Sequence, residues 1–326
     1  MNASRTTALA GCAVVLGVVA VLSMGVGAQP LAPAEVWSAL VDPGADNASL
    51  IVWDIRLPRM LLAVAVGAAL AAAGALMQAT TRNELAEPGI LGVTAGAGFG
   101  ITVGTALGLA GTQYGQLLLA VVGAGAASAL VYTVGRSSPV RLLLAGVALS
   151  SVLAGISLGL RLITPEVFDR FRFWAVGSLA GREQVPLVVP VAVIVVSLVG
   201  ALAVSKQVSA LLLGEDVARS LGVNLTRTRL AVLVLVTLLS GAATAVAGPI
   251  VFAGLIVPHL ARRVAGMSVP WLVAFSVALG PILLLVSDIA ARVLLPTGEV
   301  PVSIVTAVLG GPVLISVVRR RRTAAL

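Results

Sequence analysis

Apolar runs of near twenty residues recur along this chain from one end to the other, separated by short polar stretches. They start at Ala8, Leu57, Ile90, Gln116, Val140, Val185, Leu230, Ile250, Trp271 and Val300. A run of about 20 apolar residues crosses the ~30 Å of bilayer hydrocarbon as a helix. The pattern therefore predicts an all-α integral membrane protein with about ten transmembrane helices, forming a single domain over residues 1–326. The run from Ile250 to Leu260 is short enough to turn back within the membrane, so its crossing has to be decided by charge.

Two interruptions keep a helical pattern of their own. Between Ala210 and Val223 the segment ALLLGEDVARSLGV is too polar to span. Glu215 and Asp216 stand where the first turn of a short helix favours negative charge, Val217 and Leu221 share a face, and Gly222 can end it. A solvated linker is the plain reading. Against it, an apolar face of Leu211 to Leu213, Val217 and Leu221 is wasted in water and suits a knob that enters a groove on a partner. The second interruption, residues 165–181, spaces Phe168, Phe171 and Trp174 by three with Asp169, Arg170 and Arg172 between them, which predicts a short amphipathic helix at a membrane surface. It either floats among the headgroups or lines a vestibule.

Composition sharpens the class. The chain is 59% hydrophobic and only 10% charged, far from the quarter charged of soluble domains. Its formal charge of +8 would suit nucleic acid, but cytoplasmic membrane loops also collect basic residues. If the Ile250 run crosses and the N-terminus is inside, the inner side holds Arg5, Arg82, Arg136, Arg141, Lys206, Arg219, Arg227, Arg229, Arg262, Arg263 and Arg319 to Arg322. The outer side then holds Arg56, Arg59, Arg161, Arg170, Arg172, Arg182 and Arg292, with most acids, including Glu35, Asp42, Asp46, Asp54, Glu166, Asp169 and Glu183. Without that crossing, Arg262, Arg263 and the terminal arginines would face outward against the positive-inside rule. Both termini are thus expected in the cytoplasm, and nucleic acid loses its support as a partner. The single Cys12 excludes a disulfide within the chain; Leu9 to Cys12 imitates a lipoprotein cleavage box, but the apolar core follows it, so Ala8 to Ala28 reads as a retained span.

Candidate chemistry is sparse. The only lysine, Lys206, lies between Ser205 and Gln207, which is no P-loop, and HExxH is missing, so catalysis by this chain is not expected. Asp288 and Arg292 form an i,i+4 pair that can neutralise itself, and the lone His259 is no metal site. Gly92, Gly96, Gly100, Gly104 and Gly108 recur every fourth residue as a smooth stripe for close helix packing. Trp37, Trp53, Trp174 and Trp271 fall at span ends or in outer segments, where aromatic rings anchor at the interface.

Taken together, the motifs RLPR at Arg56, GALMQATTRNELAEPGILGVTAGAGFG at Gly74, LLLAGVALS at Leu142, WAVGSLAG at Trp174, LLLGEDVARSLGV at Leu211, GPIVFAGLIVPHLARR at Gly248, SDIAAR at Ser287 and EVPVSIVTAVLGGP at Glu299 resemble one family. It is the iron-siderophore and cobalamin (FecCD-type) class of ABC importer permeases. The chain departs from the family pattern at Glu84, where proline is usual, and at Val251 and Ser303, where glycine is.

The resemblance implies a type II ABC importer permease fold in a bacterial cytoplasmic membrane, surrounded by lipid and paired with a second copy or a close paralogue. Residues 207–223 would be the cytoplasmic coupling segment, with Leu213, Gly214, Glu215, Asp216, Val217, Ala218, Arg219, Leu221 and Gly222 meeting a separate ATPase pair that holds ATP and magnesium. No cofactor is expected in this chain. Phe168, Phe171, Trp174, Gly177 and Ser178 would line the outer translocation path. Arg56, Arg59 and Arg292, which on their own could equally anchor headgroups or pair with Asp54 and Asp288, would receive acidic residues of an extracytoplasmic substrate-binding protein. Ferric siderophore is the expected cargo, with cobalamin or haem as alternatives. A secondary transporter would place carboxylates near the bilayer midplane, and the spans offer none.

Overall fold

The helix that the others surround is α4 (Leu57–Thr81), built almost wholly of alanine, glycine and aliphatic residues and buried over nearly its whole length. The computed structural model describes residues 2–44, 46–135, 138–181, 187–295 and 298–323; Arg136, Arg182, Glu183 and Val185 lie outside them. A Cβ on Gly67 would stand 2.5 Å from the Gly280 carbonyl oxygen, and one on Gly280 2.1 Å from that of Gly67. So α4 and α13 (Val269–Val293) pack backbone against backbone. In lipid such close approach drives association, because tails compete equally for apolar side chains.

Seven helices are long and apolar enough to cross a membrane: α1 (Asn2–Gly25), the continuous helix ending in α4, α6 (Gln113–Gly135), α7 (Pro139–Ile163), α9 (Val188–Leu212), α11 (Leu225–Ala247) and α13. Shorter passes α5 (Val93–Ala106), α12 (Ala253–Ala265) and α14 (Val302–Thr323) bring the bundle to the expected ten among the described residues. Two elements went unread in the sequence. A surface helix, α2 (Pro33–Val41), lies in the polar stretch before α4. The second span begins early, as α3 (Asn47–Leu50) and a wide π turn over Ile51–Arg56, with the Trp53 indole donating to the Ala39 carbonyl at 2.8 Å.

α5 and α12, of 14 and 13 residues, reach only about 20 Å each, so about a third of each ~30 Å pass is left to other backbone. The chain approaches α5 through Arg82 to Gly92 and α12 through Gly248 to Phe252, and these two stretches meet inside the bundle. Pro88 packs on Gly254, and the Glu87 carboxylate accepts the Phe252 N–H at 3.2 Å. Backbone without helix is tolerated at this depth because protein covers it. The glycine stripe divides accordingly. Gly96, Gly100 and Gly104 press α5 onto Gly123 and Leu119 of α6, whereas Gly92 and Gly108, at φ 74° and 70°, end the helix instead of packing.

Side-chain links fix which ends lie together. From Gly254 beside Gly74, α12 runs alongside α4, and Arg262 donates to Gln78 Oε1 at 3.0 Å and pairs with Glu84 at 3.6 Å. His259 approaches the same carboxylate at 3.8 Å, so Glu84 ties the end of α4 to the end of α12. Arg5 lies beside Gly266. The short helix α10 (Glu215–Ser220), the start of α1 and the far ends of α4, α12 and α14 therefore share one end of the bundle, with α2 and α8 (Pro165–Ala175) at the other. Cys12 is half-buried among apolar neighbours.

Candidate functional sites at the two ends of the bundle

α10 is built by its ends. Gly214, at φ 113°, turns the chain out of α9, and Gly222, at φ 77°, turns it towards α11. At the second turn the Val223 N–H donates to the Ala218 carbonyl at 3.0 Å and the Gly222 N–H to that of Arg219 at 2.9 Å, a Schellman closure that only a left-handed residue permits cheaply. Asn224 then caps α11 by accepting the Arg227 N–H at 3.0 Å. Six residues would not hold a helix in water on their own, so these closures and the packing of Ala218 on Leu211 and Leu225 hold it.

Leu213, Val217 and Leu221 project from this frame with 60%, 46% and 61% of their surface exposed. The apolar face expected from the sequence ran from Leu211 to Leu213 with Val217 and Leu221; Leu211 leaves it, buried at 3% exposure against Ala218 and Leu225, and Leu212 is half-buried. Ala218 departs from expectation too: fully buried, it supports the helix and cannot meet a partner. Glu215 carries the charge of the element. One oxygen accepts Arg229 of α11 at 2.5 Å and the other Arg219 at 3.3 Å, while Asp216 takes the second fork of Arg219 at 3.2 Å. The hydrogen bond and charge of Arg229 hold the Glu215 carboxyl below the usual carboxylate range.

At the opposite end the expected outward-facing cations are not outward-facing. Arg56, Arg59 and Arg292 retain only 4%, 6% and 6% of their exposure, and Asp288 none. Arg59 grips Asp288 at 2.8 Å and Glu299 at 2.8 Å, and Arg292 reaches the other oxygen of Asp288 at 2.5 Å. The remaining donors go to α1, whose last turn has no basic residue of its own. Arg292 donates to the Ser23 and Val26 carbonyls at 2.9 Å, and Arg56 to those of Met24 and Gln29. A helix C-terminus presents free carbonyls and negative charge, and here arginines from other helices satisfy both. The reading of these arginines as a docking rim is corrected to that extent: their donors are engaged within the chain, and Asp54 stays exposed.

The amphipathic segment forms α8 as expected, but its residues separate. Phe168 is exposed and Phe171 half-buried beneath the Arg161 guanidinium, 3.9 Å from the ring centroid. Trp174 is a core residue, neither interfacial nor lining: its indole donates to the Thr244 carbonyl at 3.0 Å, and its ring fills the space beside Gly98. Gly177 is buried, at φ 65°, where a Cβ would meet the Pro249 carbonyl oxygen at 2.1 Å, and Ser178 is half-buried. Ser303 donates its hydroxyl to the Val176 carbonyl at 2.6 Å and its N–H to that of Gly177 at 3.1 Å. The segment thus closes the joint between α8, the Gly248 break and α14. No cluster of His, Cys, Asp and Glu able to hold a metal ion occurs among the described residues.

Comparison with known proteins now bears on what these ends serve. The sequence profile of the FecCD transport family matches residues 15–320. The chain is 43% identical over 323 residues to the ferric enterobactin transport system permease protein FepD of Escherichia coli (strain K12), covering 98% of this chain and 96% of that one. It is 36% identical to the hemin transport system permease protein HmuU of Yersinia pestis, over 95% and 94% of the two chains. A solved structure described as an inward-facing conformation of a metal-chelate type ABC transporter superposes with a TM-score of 0.86 at 31% identity, over 97% of this chain and 99% of that one.

Proposed function

The chain belongs to the FecCD transport family and is a multi-pass ABC importer permease, and from that premise we propose that it carries ferric siderophores inward, driven by a separate ATPase pair that docks on α10. The observation that supports the coupling assignment is the exposure of Leu213, Val217 and Leu221 on and beside a short helix whose C-terminal end is tightly closed. An apolar face of this kind lies in a partner's groove. Each nucleotide state of the ATPase favours a different groove geometry, and the permease tilts between inward and outward openings accordingly.

The orientation follows from charge. The α10 end carries Arg82, Lys206, Arg219, Arg227, Arg229, Arg262 and Arg263, so it faces the cytoplasm, with both termini beside it. Two copies, or this chain and a paralogue, enclose the path, and a soluble binding protein delivers cargo to the other end. There the arginine network acts indirectly, by fixing the outer ends of α1, α4 and α13. Ferric siderophore is favoured as cargo because the enterobactin permease shares 43% identity over nearly the whole chain. Hemin is the second reading, from the Yersinia pestis relative.

Uptake by cells that depend on this permease tests both assignments. Ferric siderophore should accumulate, and Leu221→Asp should abolish accumulation and copurification of the ATPase while the permease stays inserted, because burying an unpaired carboxylate costs several kcal/mol. Uptake of hemin alone would move the cargo assignment, and normal ATPase copurification by Leu221→Asp would remove the coupling one. For orientation, a cysteine at Arg263 in a Cys12→Ala background should resist an impermeant thiol reagent in intact cells and one at Asp46 should react. Labelling at 263 from outside reverses the topology.

A further inference from the structure

We infer that Glu215 and Arg229 form the tie through which movement of α10 is passed to α11, making Arg229 a positioning residue for coupling although it lies off the exposed knob. This rests on the reading of α10 as the ATPase-docking element.

Apolar packing between α10 and the bundle is slight. Ala218 is the helix's buried residue, and its cluster with Leu211 and Leu225 is separate from the main core. Beside the ion pair lies a cavity of about 340 Å³, walled by Met77, Thr80 and Arg82 of the α4 end, Tyr132 of α6, Leu142 of α7 and Val236 of α11, with Glu215 and Arg229 at its edge. Dispersion forces vanish across such a void, so side-chain packing cannot carry a push from α10 straight to α4 or α6. Beyond the small contact of Ala218 with Leu211 and Leu225, the side-chain link from α10 into the body of α11 is the Glu215–Arg229 bond of 2.5 Å, with both Glu215 oxygens engaged by guanidiniums. Arg82, donating to the Leu211 carbonyl, ties α4 to the end of α9 instead.

The helix that receives this tie is well placed to use it. α11 runs without interruption from Leu225 to Ala247, and near its far end Thr244 holds Trp174 of α8. The chain then breaks at Gly248, packed on Gly177, before entering α12. A rigid rotation or shift of α11 would therefore reach both the outer joint and the internal junction of Glu87 with Phe252. The pair is 40% and 45% exposed, a setting in which ion pairs add about 0–1 kcal/mol to stability. Its loss should consequently leave the fold intact and expose the coupling role.

A charge-reversal cycle on the complete transporter in proteoliposomes, with ATPase, binding protein and cargo, tests this. The readout is cargo moved per ATP hydrolysed, alongside ATPase copurification. Arg229→Glu should keep the ATPase bound but lower transport per ATP by about tenfold, within the range of allosteric coupling energies. Adding Glu215→Arg should restore at least about threefold of that loss, the signature of direct pairing. Arg227→Glu, the same charge change two residues away, should stay within about twofold of the parent. The inference is overturned if Arg229→Glu behaves like Arg227→Glu, if the double variant is no better than Arg229→Glu, or if Arg229→Glu loses the ATPase, since the residue would then belong to docking. Failure of the docking reading itself shows separately, as retention of the ATPase by Leu221→Asp.

Discussion

Each end of this permease holds a carboxylate between two arginines, and the two arrangements have opposite settings. Asp288 lies between Arg59 of α4 and Arg292 of its own helix α13 with no exposure, and Arg292 in turn holds the end of α1. Glu215 lies between Arg219 and Arg229 in the open, on a helix with little else to hold it. The residue types match, yet burial assigns different work. In the first, each guanidinium donor is engaged and removal of the acid leaves like charges facing each other in a medium that cannot screen them. In the second, water competes for every bond, so the pair is cheap to break and can be remade as the helix moves.

Substitution should separate the two most strongly in stability. Asp288→Ala is expected to destabilise by about 3–5 kcal/mol, because it strands buried Arg59 and Arg292, whereas Glu215→Ala should cost no more than about 1 kcal/mol. Thermal unfolding in detergent, followed by fluorescence-detected size exclusion, reads both. Equal losses would erase the distinction.

A smaller effect comes from pH. Arg229 lowers the Glu215 carboxyl from its ordinary value of 4.5, so a folded-state pKa below the unfolded one makes its contribution to stability complete above 4.5 and lost as pH falls through the lowered value. The difference in melting temperature between the parent and Glu215→Gln should therefore stay constant from neutral pH down to the ordinary carboxylate range and disappear only below it. A difference that disappears already on mild acidification would mean that the bond to Arg229 is not held in solution.

What could be read from the sequence follows the same division. Hydropathy gave the ten passes because lipid imposes length and apolarity on each helix independently of its neighbours. α10 was legible for a local reason: two glycines, two acids in the first turn and an i,i+4 apolar pair act within a dozen residues. The outer network was not, since charge in a hydropathy pattern reads as exposure, while Arg59 finds Asp288 across 229 residues of chain and Arg292 finds Ser23 across 269. Trp174 misled in the same way, an aromatic at a span end that tertiary packing carries inside against Gly98. Gly92 and Gly108 kept the spacing of a packing stripe, but backbone reversal claimed them. α2 and the π turn before Leu57 left no periodic signal long enough to see.

The central claim is that the exposed end of the molecule, and not the buried one, meets the ATPase. Site-specific photocrosslinking in the assembled transporter addresses it directly, with the reactive residue placed at Leu221 in one variant and at the exposed Trp37 of α2 in another. The account predicts an ATPase adduct from position 221 and none from position 37. An adduct from 37, or none from 221 in a complex that hydrolyses ATP and transports, would contradict it.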